Sequence, residues 1–246
     1  MDRRTFFRRA LSLILRAAAL AGLMPFRPAW ANIAGKGTGK KYGMAIDIDK
    51  CIGCGRCTEA CKAENGVPPE PYFVRTWVER YIIKRDGQLV VRNIGIDGGH
   101  DDGDSDREIL RSFFVPKLCN QCDNPPCVQV CPVGATFPTP EGVVIVDSER
   151  CIGCRYCIQA CPFGARYLNP ATQTADKCTF CYHRTQQGLL PACVEVCPTQ
   201  ARIFGDMNSS ASPLTRFQRL KKLHVLKPYL NTEPKVVYAG LDGEVR

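Results

Sequence analysis

The sequence predicts an α+β fold in which one small unit occurs twice, with short strands and short helices rather than long layered elements. Two observations predict it. Sixteen of the 246 residues are cysteine, in four groups of four: Cys51, Cys54, Cys57 and Cys61; Cys119, Cys122, Cys127 and Cys131; Cys151, Cys154, Cys157 and Cys161; Cys178, Cys181, Cys193 and Cys197. The chain also repeats itself. Residues 45–61 (AIDIDKCIGCGRCTEAC) realign with 145–161 (IVDSERCIGCRYCIQAC), and PCVQVCP (126–132) echoes ACVEVCP (192–198). The order is tight group, loose group, tight group, loose group, which a duplicated unit explains.

Residues 1–31 come first and read as a targeting segment. Arg3-Arg4-Thr5-Phe6-Phe7-Arg8 has the form of a twin-arginine export motif, a weakly apolar stretch follows at 10–23, and Ala29-Trp30-Ala31 offers a small-x-small cleavage site. Arg16 interrupts the apolar stretch, and no uncharged apolar run of membrane-spanning length occurs. The main domain, 41–205, opens with a short apolar strand at 42–48 before the first cysteine group. An insert, 62–118, contains a hairpin pattern: an apolar–polar run at 72–83, a turn at Arg85-Asp86-Gly87 and a second run at 88–94. Its acidic tip (Asp97, Asp101, Asp102, Asp104, Asp106) lacks the glycine of a calcium loop, since Arg107 stands there, and reads as a solvated loop. Strands are expected again at 143–146 and 201–204. Residues 206–246 read as a C-terminal tail carrying a surface helix at 214–230, a face for docking to partner subunits.

The chemistry lies in the cysteine spacing. Groups one and three have C-x2-C-x2-C-x3-C, the run that holds cubane iron–sulfur clusters, and three groups end in Cys-Pro. Disulfide scaffolds are usually short chains with small cores, whereas this one is 45% hydrophobic over 246 residues. A zinc ribbon uses two separated pairs, not three cysteines at spacing two and a fourth before proline. Four thiolates per cluster make four 4Fe-4S clusters with none left over. The result is a set of duplicated ferredoxin-like modules around four iron–sulfur clusters. The first three cysteines of a tight group wrap one cube, and the fourth, a turn into a short helix, reaches a neighbour. Pro132, Pro162 and Pro198 then turn the chain, while Lys62 stands at that place in group one. Gly53 and Gly153 let backbone approach a cube, and Ile52 and Ile152 shield it from water. Arg56, Arg155, Arg166 and Lys177 are candidates to offset the negative charge of the cubes.

Residues 1–31 carry +5 of the formal +9, leaving +4 on the rest, a modest excess that with no recognition motif gives no nucleic-acid partner. Neither a nucleophile elbow nor a phosphate loop nor a dinucleotide glycine fingerprint is present, and His100, His183 and His224 are scattered. His183, with no evident partner, reads as structural. The cofactors would carry the redox chemistry, so the chain reads as a non-catalytic electron carrier.

At CNQCDNPPC (119–127), TADKCTFC (174–181), LLPACVEVCP (189–198) and LKP…PKVVYAGL (226–241) the chain resembles the four-cluster iron–sulfur subunits of the dimethyl-sulfoxide-reductase superfamily and of formate-linked nitrite reductase. Within that group it is most similar to tetrathionate, polysulfide and arsenate reductase subunits, from about residue 41 to 240. The resemblance implies nested pairing of the groups: Cys51, Cys54, Cys57 with Cys197; Cys119, Cys122, Cys127 with Cys161; Cys151, Cys154, Cys157 with Cys131; and Cys178, Cys181, Cys193 with Cys61. Spacing alone equally allows first with second and third with fourth. The resemblance also implies electron relay between an integral-membrane quinone-binding subunit and a molybdopterin catalytic subunit or multihaem cytochrome, in the periplasm during anaerobic respiration. A free-standing diffusible polyferredoxin is the alternative; the export signal and the long tail favour the complex.

Overall fold

A computed structural model describes residues 39–94, 108–241 and 245; the arginine-pair segment, the acidic tip and His100 lie outside the described residues. Among the described residues are four small sheets and six short helices, an α+β arrangement. The first strand, β1 (Tyr42–Asp47), is buried from Gly43 onward, with Met44, Ala45 and Ile46 fully inaccessible. It is a central strand, with a neighbour hydrogen-bonded along each edge. β9 (Arg202–Asp206) pairs antiparallel with Met44 opposite Phe204, and β11 (Val236–Ala239) pairs parallel with Met44 opposite Val236. A two-residue strand, β10 (Leu223–His224), completes the order β10-β11-β1-β9.

Residues 206–246, expected as a tail, therefore supply two strands of the sheet that holds the first cysteine group. Tyr238 is fully buried opposite Ile46, and Lys235 (2% exposed) reaches Asp123 at 2.9 Å. The backbone of 232–235 also runs along the second cysteine group, with Lys235 N donating to Asn120 O and Asp123 N to Glu233 O. The helix expected over 214–230 stops early, as Pro213–Leu220. The chain turns back into β10, and Pro228 cannot continue a helix.

The insert forms a three-stranded antiparallel sheet, β3-β2-β4, from β2 (Thr76–Lys84), β3 (Leu89–Ile94) and β4 (Ile109–Leu118). The hairpin pattern at 72–94 thus forms, but its partner β4 was not foreseen. Val78, Tyr81, Ile82, Phe113 and Val115 are buried, Tyr81 and Phe113 stacked at 5.4 Å. Two small hairpins follow the other groups: β5 (Thr136–Pro138) with β6 (Val144–Val146), and β7 (Arg166–Leu168) with β8 (Ala175–Lys177).

Each cysteine group contributes a helix. The first, α1 (Arg56–Asn65), runs ten residues between Gly55 and Gly66, both left-handed. The others are single turns: α2 (Pro126–Gln129), α3 (Tyr156–Gln159), α4 (Tyr182–Thr185) and α5 (Ala192–Glu195); α6 (Pro213–Leu220) closes the set. The difference lies at one position. Where Pro132, Pro162 and Pro198 stop the helix, Lys62 lets α1 run on, and its Nζ donates to the carbonyls of Pro68, Pro69 and Glu70.

Candidate metal centres

Cys57 and Cys61 are one turn apart on α1, and Cys193 and Cys197 hold the same spacing on and just beyond α5, which packs against α1. Residues i and i+4 share a helix face but sit a full turn apart, so the two thiols of each pair reach different cavities. One cavity is lined by Cys51, Cys54, Cys57 and Cys197 together with Val78, Pro116 and Arg202. A second is lined by Cys61, Cys178, Cys181 and Cys193 with Asn65, Arg75 and Phe180. A third is lined by Cys119, Cys122, Cys127 and Cys161 with Asn120 and Arg166. Of the remaining four, Cys151 and Cys131 both act on Cys157 near the α2–α3 contact, and Cys154 is exposed. Among the described residues no three His, Cys, Asp or Glu side chains converge as closely as a single metal ion requires.

The thiols that their surroundings clearly shift move in two directions. Burial pushes Cys51 and Cys193 up to about 11 and Cys122 and Cys178 up to about 12, and it holds Cys61 well above the usual thiol range. Neighbouring thiols add to the effect at Cys61, where Cys178, Cys193 and Cys181 converge. Cys131 and Cys197 go the other way. Burial raises them too, but several backbone N–H groups outweigh it: those of Thr136, Val133, Ala135 and Gly134 at Cys131, and of Ala201, Arg202 and Thr199, with the Thr199 hydroxyl, at Cys197. Both cysteines begin the same turn. Gly134, Gly164 and Gln200 are all left-handed three residues after Cys131, Cys161 and Cys197, and each N–H returns to that cysteine's carbonyl. Turns of this kind gather N–H groups around an anion.

Do these cavities fit an iron–sulfur cube? Three side chains that line them carry buried nitrogen atoms without an acceptor among the described protein atoms: Arg202 Nη1, Arg75 Nε and Asn120 Nδ2. A buried donor left unmatched costs about 1–3 kcal/mol, more when charged. A cube with its sulfide and thiolate sulfurs is anionic and rich in acceptors, so it would meet this need. The residues fit the group.

Of the four expected charge-offsetting residues, Arg166 and Lys177 are buried, and Arg166 Nη2 donates to Cys127 Sγ at 3.0 Å. Lys177 binds the carbonyls of Val144 and Cys178, and its charge favours the thiolates of Cys127 and Cys178. Arg56 and Arg155 are exposed, although Arg56 reaches the rim of the first cavity. Ile52 lines the first cavity although it is 59% exposed, and Ile152 is 65% exposed on its own loop. His183 is not alone; its Nε2 meets Glu64 at 2.7 Å, as does Arg184.

Several contacts were missed. Arg202 donates to Cys57 Sγ at 3.3 Å; Asn65 Nδ2 lies 3.6 and 3.7 Å from the sulfurs of Cys61 and Cys181; Gln121 bridges Cys178 O and Val144 N. A signal for Arg202 was present: CPFGAR (161–166) and CPTQAR (197–202) place an arginine five residues after the cysteine in two of the three Cys-Pro turns.

Comparison with known proteins adds to this geometry. Residues 110–207 match the 4Fe-4S dicluster domain family, and residues 42–63 match a 4Fe-4S binding domain. The chain is 44% identical over 204 residues to a tetrathionate reductase subunit of Salmonella typhimurium, covering 82% of this chain and 73% of that one. It is 39% identical over 199 residues to a polysulfide reductase component of Wolinella succinogenes, covering 80% and 93%. It is 31% identical over 248 residues to the arsenate respiratory reductase iron–sulfur subunit ArrB of a Shewanella species, covering 80% and 95%.

Proposed function

The chain belongs to the family of 4Fe-4S iron–sulfur subunits of tetrathionate, polysulfide and arsenate reductases, and from that premise we propose that it relays electrons through four 4Fe-4S clusters within a respiratory reductase complex. One observation supports the nested ligand sets: each of three cavities is lined by three cysteines of one group and one from a distant group, and the fourth set follows from the repeat. On this reading Cys51, Cys54, Cys57 and Cys197 hold one cube, and Cys178, Cys181, Cys193 and Cys61 its neighbour. Cys119, Cys122, Cys127 and Cys161 hold a third, and Cys151, Cys154, Cys157 and Cys131 the fourth. The duplication of a two-cluster ferredoxin-like module is part of the same reading, supported by the repeated Cys-Pro turn.

When bound, each cube supplies a one-electron couple at an accessible potential. The chain does the rest. Val78, Pro116 and Phe180 keep water from the cavities they line, and Arg202 and Arg166 place N–H groups against cysteine sulfur. Cys54 and Cys154, the exposed thiols, mark where a partner's redox centre can approach. The partners in this reading are an integral-membrane quinone-binding subunit and a molybdopterin catalytic subunit or multihaem cytochrome, with the terminal acceptor a sulfur compound, arsenate or nitrite. The exposed part of the described residues 206–241, with Leu220, Tyr229 and Leu230 at the surface, is the face through which partners dock. Export in folded form by the twin-arginine route to the periplasm is supported by Arg3 and Arg4. In the described residues no helix is long and apolar enough to cross a membrane, which suits attachment through partners.

The test is iron and sulfide analysis with EPR on anaerobically purified chain, wild type and Cys197→Ser. The wild type should hold about 16 irons and 16 sulfides. Cys197→Ser should alter the cube of Cys51, Cys54 and Cys57. Loss of the signal from the Cys178, Cys181 and Cys193 site instead, with that of group one intact, would refute the nested assignment.

A further inference from the structure

Arg166 and Arg202 occupy the same place in two copies of one turn, and each enters the protein interior at the first residue of a strand, β7 or β9. They are 5% and 3% exposed. A guanidinium that deep is costly unless anions face it from more than one side. Only one face of each is accounted for by neutral partners. Arg202 Nη2 donates to Thr76 Oγ1 at 2.7 Å and to Cys57 Sγ at 3.3 Å, while Nη1 finds no acceptor among the described atoms. Arg166 Nη1 donates to Thr136 Oγ1 at 3.3 Å and Nη2 to Cys127 Sγ at 3.0 Å.

Each guanidinium also reaches toward the adjacent site. Thr76, which accepts from Arg202, lines the second cavity together with Cys193, so Arg202 stands between the first site and its neighbour. Arg166 lines the third cavity, and its partner Thr136 opens the strand that follows Cys131 of the fourth site, so Arg166 stands between the other two.

We infer that Arg202 and Arg166 are each the shared counter-charge of one pair of cubes, and that each sets the potentials of both members of its pair together. A cube that accepts an electron gains one negative charge, and a fixed cation beside it favours that reduced form, more strongly in a dry interior than in water. When the electron passes within a pair, one cube is oxidised by one electron and the other reduced by one. The pair's total charge does not change, no proton is needed, and the guanidinium stays beside the electron throughout. The bidentate fork lets one side chain serve two anions, which a lysine ammonium does less well.

The inference rests on the four-cube reading, and an EPR-monitored redox titration of the full, anaerobically loaded chain separates the two. A wild type with fewer than four reducible cubes refutes the reading. With four, Arg202→Gln should lower two potentials and leave two unchanged, and Arg166→Gln should lower the two that Arg202→Gln left alone. No assignment of signals is needed, only the partition. A variant that moves one potential, all four, none, or the same pair as the other variant overturns the inference. If a glutamine variant takes up fewer than four cubes, the lysine variant at that position decides. Because it keeps the charge but not the fork, it should displace both members of one pair downward by less than a full loss of charge would. Displacement of one member alone, or of neither, overturns the inference.

Discussion

The region around cysteine groups one and four and the region around groups two and three share one cysteine skeleton and differ in what encloses it. In the first, a ten-residue helix leads into a three-stranded sheet whose Val78 and Pro116 line a cavity and whose Phe114 packs over the Gly53 loop. In the second, the helices are single turns and the enclosing strands are three residues long, with a minor apolar cluster of Cys127, Val144, Cys157 and Ala175. The comparison teaches that one cysteine spacing can be set in unlike surroundings, and that the segments between groups decide how dry and how firm the site is. One residue begins the divergence: lysine at 62 in place of proline lets α1 continue, and Lys62 then anchors the carbonyls of 68–70 where the insert begins.

The largest expected effect follows from removing iron. An isolated two-stranded hairpin is marginal in water, whereas three strands with an apolar face can stand alone. After anaerobic chelation, the amides of β5–β6 and β7–β8 should exchange with solvent as in an unfolded chain. Those of β2 and β4 should remain slower by at least about tenfold, equivalent to ~1.4 kcal/mol of residual local stability. Equal loss of protection in both regions, read by hydrogen exchange, would show that the insert sheet depends on its cubes as much as the hairpins do.

A smaller effect tests the seam between the regions. Arg75, just ahead of β2, pairs with Asp176 of β8 at 2.8 Å, with both side chains largely buried (16% and 12% exposed). Tyr167 donates to the other carboxylate oxygen at 2.6 Å. Asp176→Asn leaves a mostly buried guanidinium without its anion, which costs about 3–5 kcal/mol. The denaturant midpoint of the loaded chain should fall accordingly. A change below about 1 kcal/mol would put the pair among ordinary surface ion pairs.

The two regions were unequally legible in the sequence. The cysteines, the Cys-Pro turns and the strands near 42, 144 and 202 could be read because spacing, proline and short apolar runs mark each of them locally. The third insert strand, Ile109–Leu118, could not, since its apolar residues are buried only once β2 lies beside it and no periodicity marks it as a partner. Residues 206–246 looked like a tail because Val236–Ala239 is a four-residue strand, buried only by pairing with β1 some 190 residues earlier. Arg166 was noticed and Arg202 was not, although the same turn carries both; the repeat was read through its cysteines and not through the residue five places on.

The smallest expected effect sharpens the comparison at two glycines that the sequence treats as equivalent. Gly53 and Gly153 both have left-handed φ, +71° and +67°, so alanine at either costs about 1–2 kcal/mol in backbone conformation alone. Their surroundings differ. A Cβ at Gly53 would meet the Phe114 ring, 2.4 Å away, and that half-buried side chain on the insert sheet can turn aside. At Gly153 it would meet the backbone carbonyl of Gln173 at 2.6 Å, in a turn closed by Gln173 N to Asn169 O and Asn169 N to Thr174 O, both 2.8 Å. Backbone held at both ends cannot yield without opening the β7–β8 hairpin. Gly153→Ala should therefore exceed Gly53→Ala by about 1 kcal/mol, within the usual scale of local strain. Denaturant midpoints followed by cluster absorbance measure the difference. A larger loss in Gly53→Ala would mean that Phe114 is held as rigidly as backbone and that the insert sheet is the stiffer enclosure at this point as well.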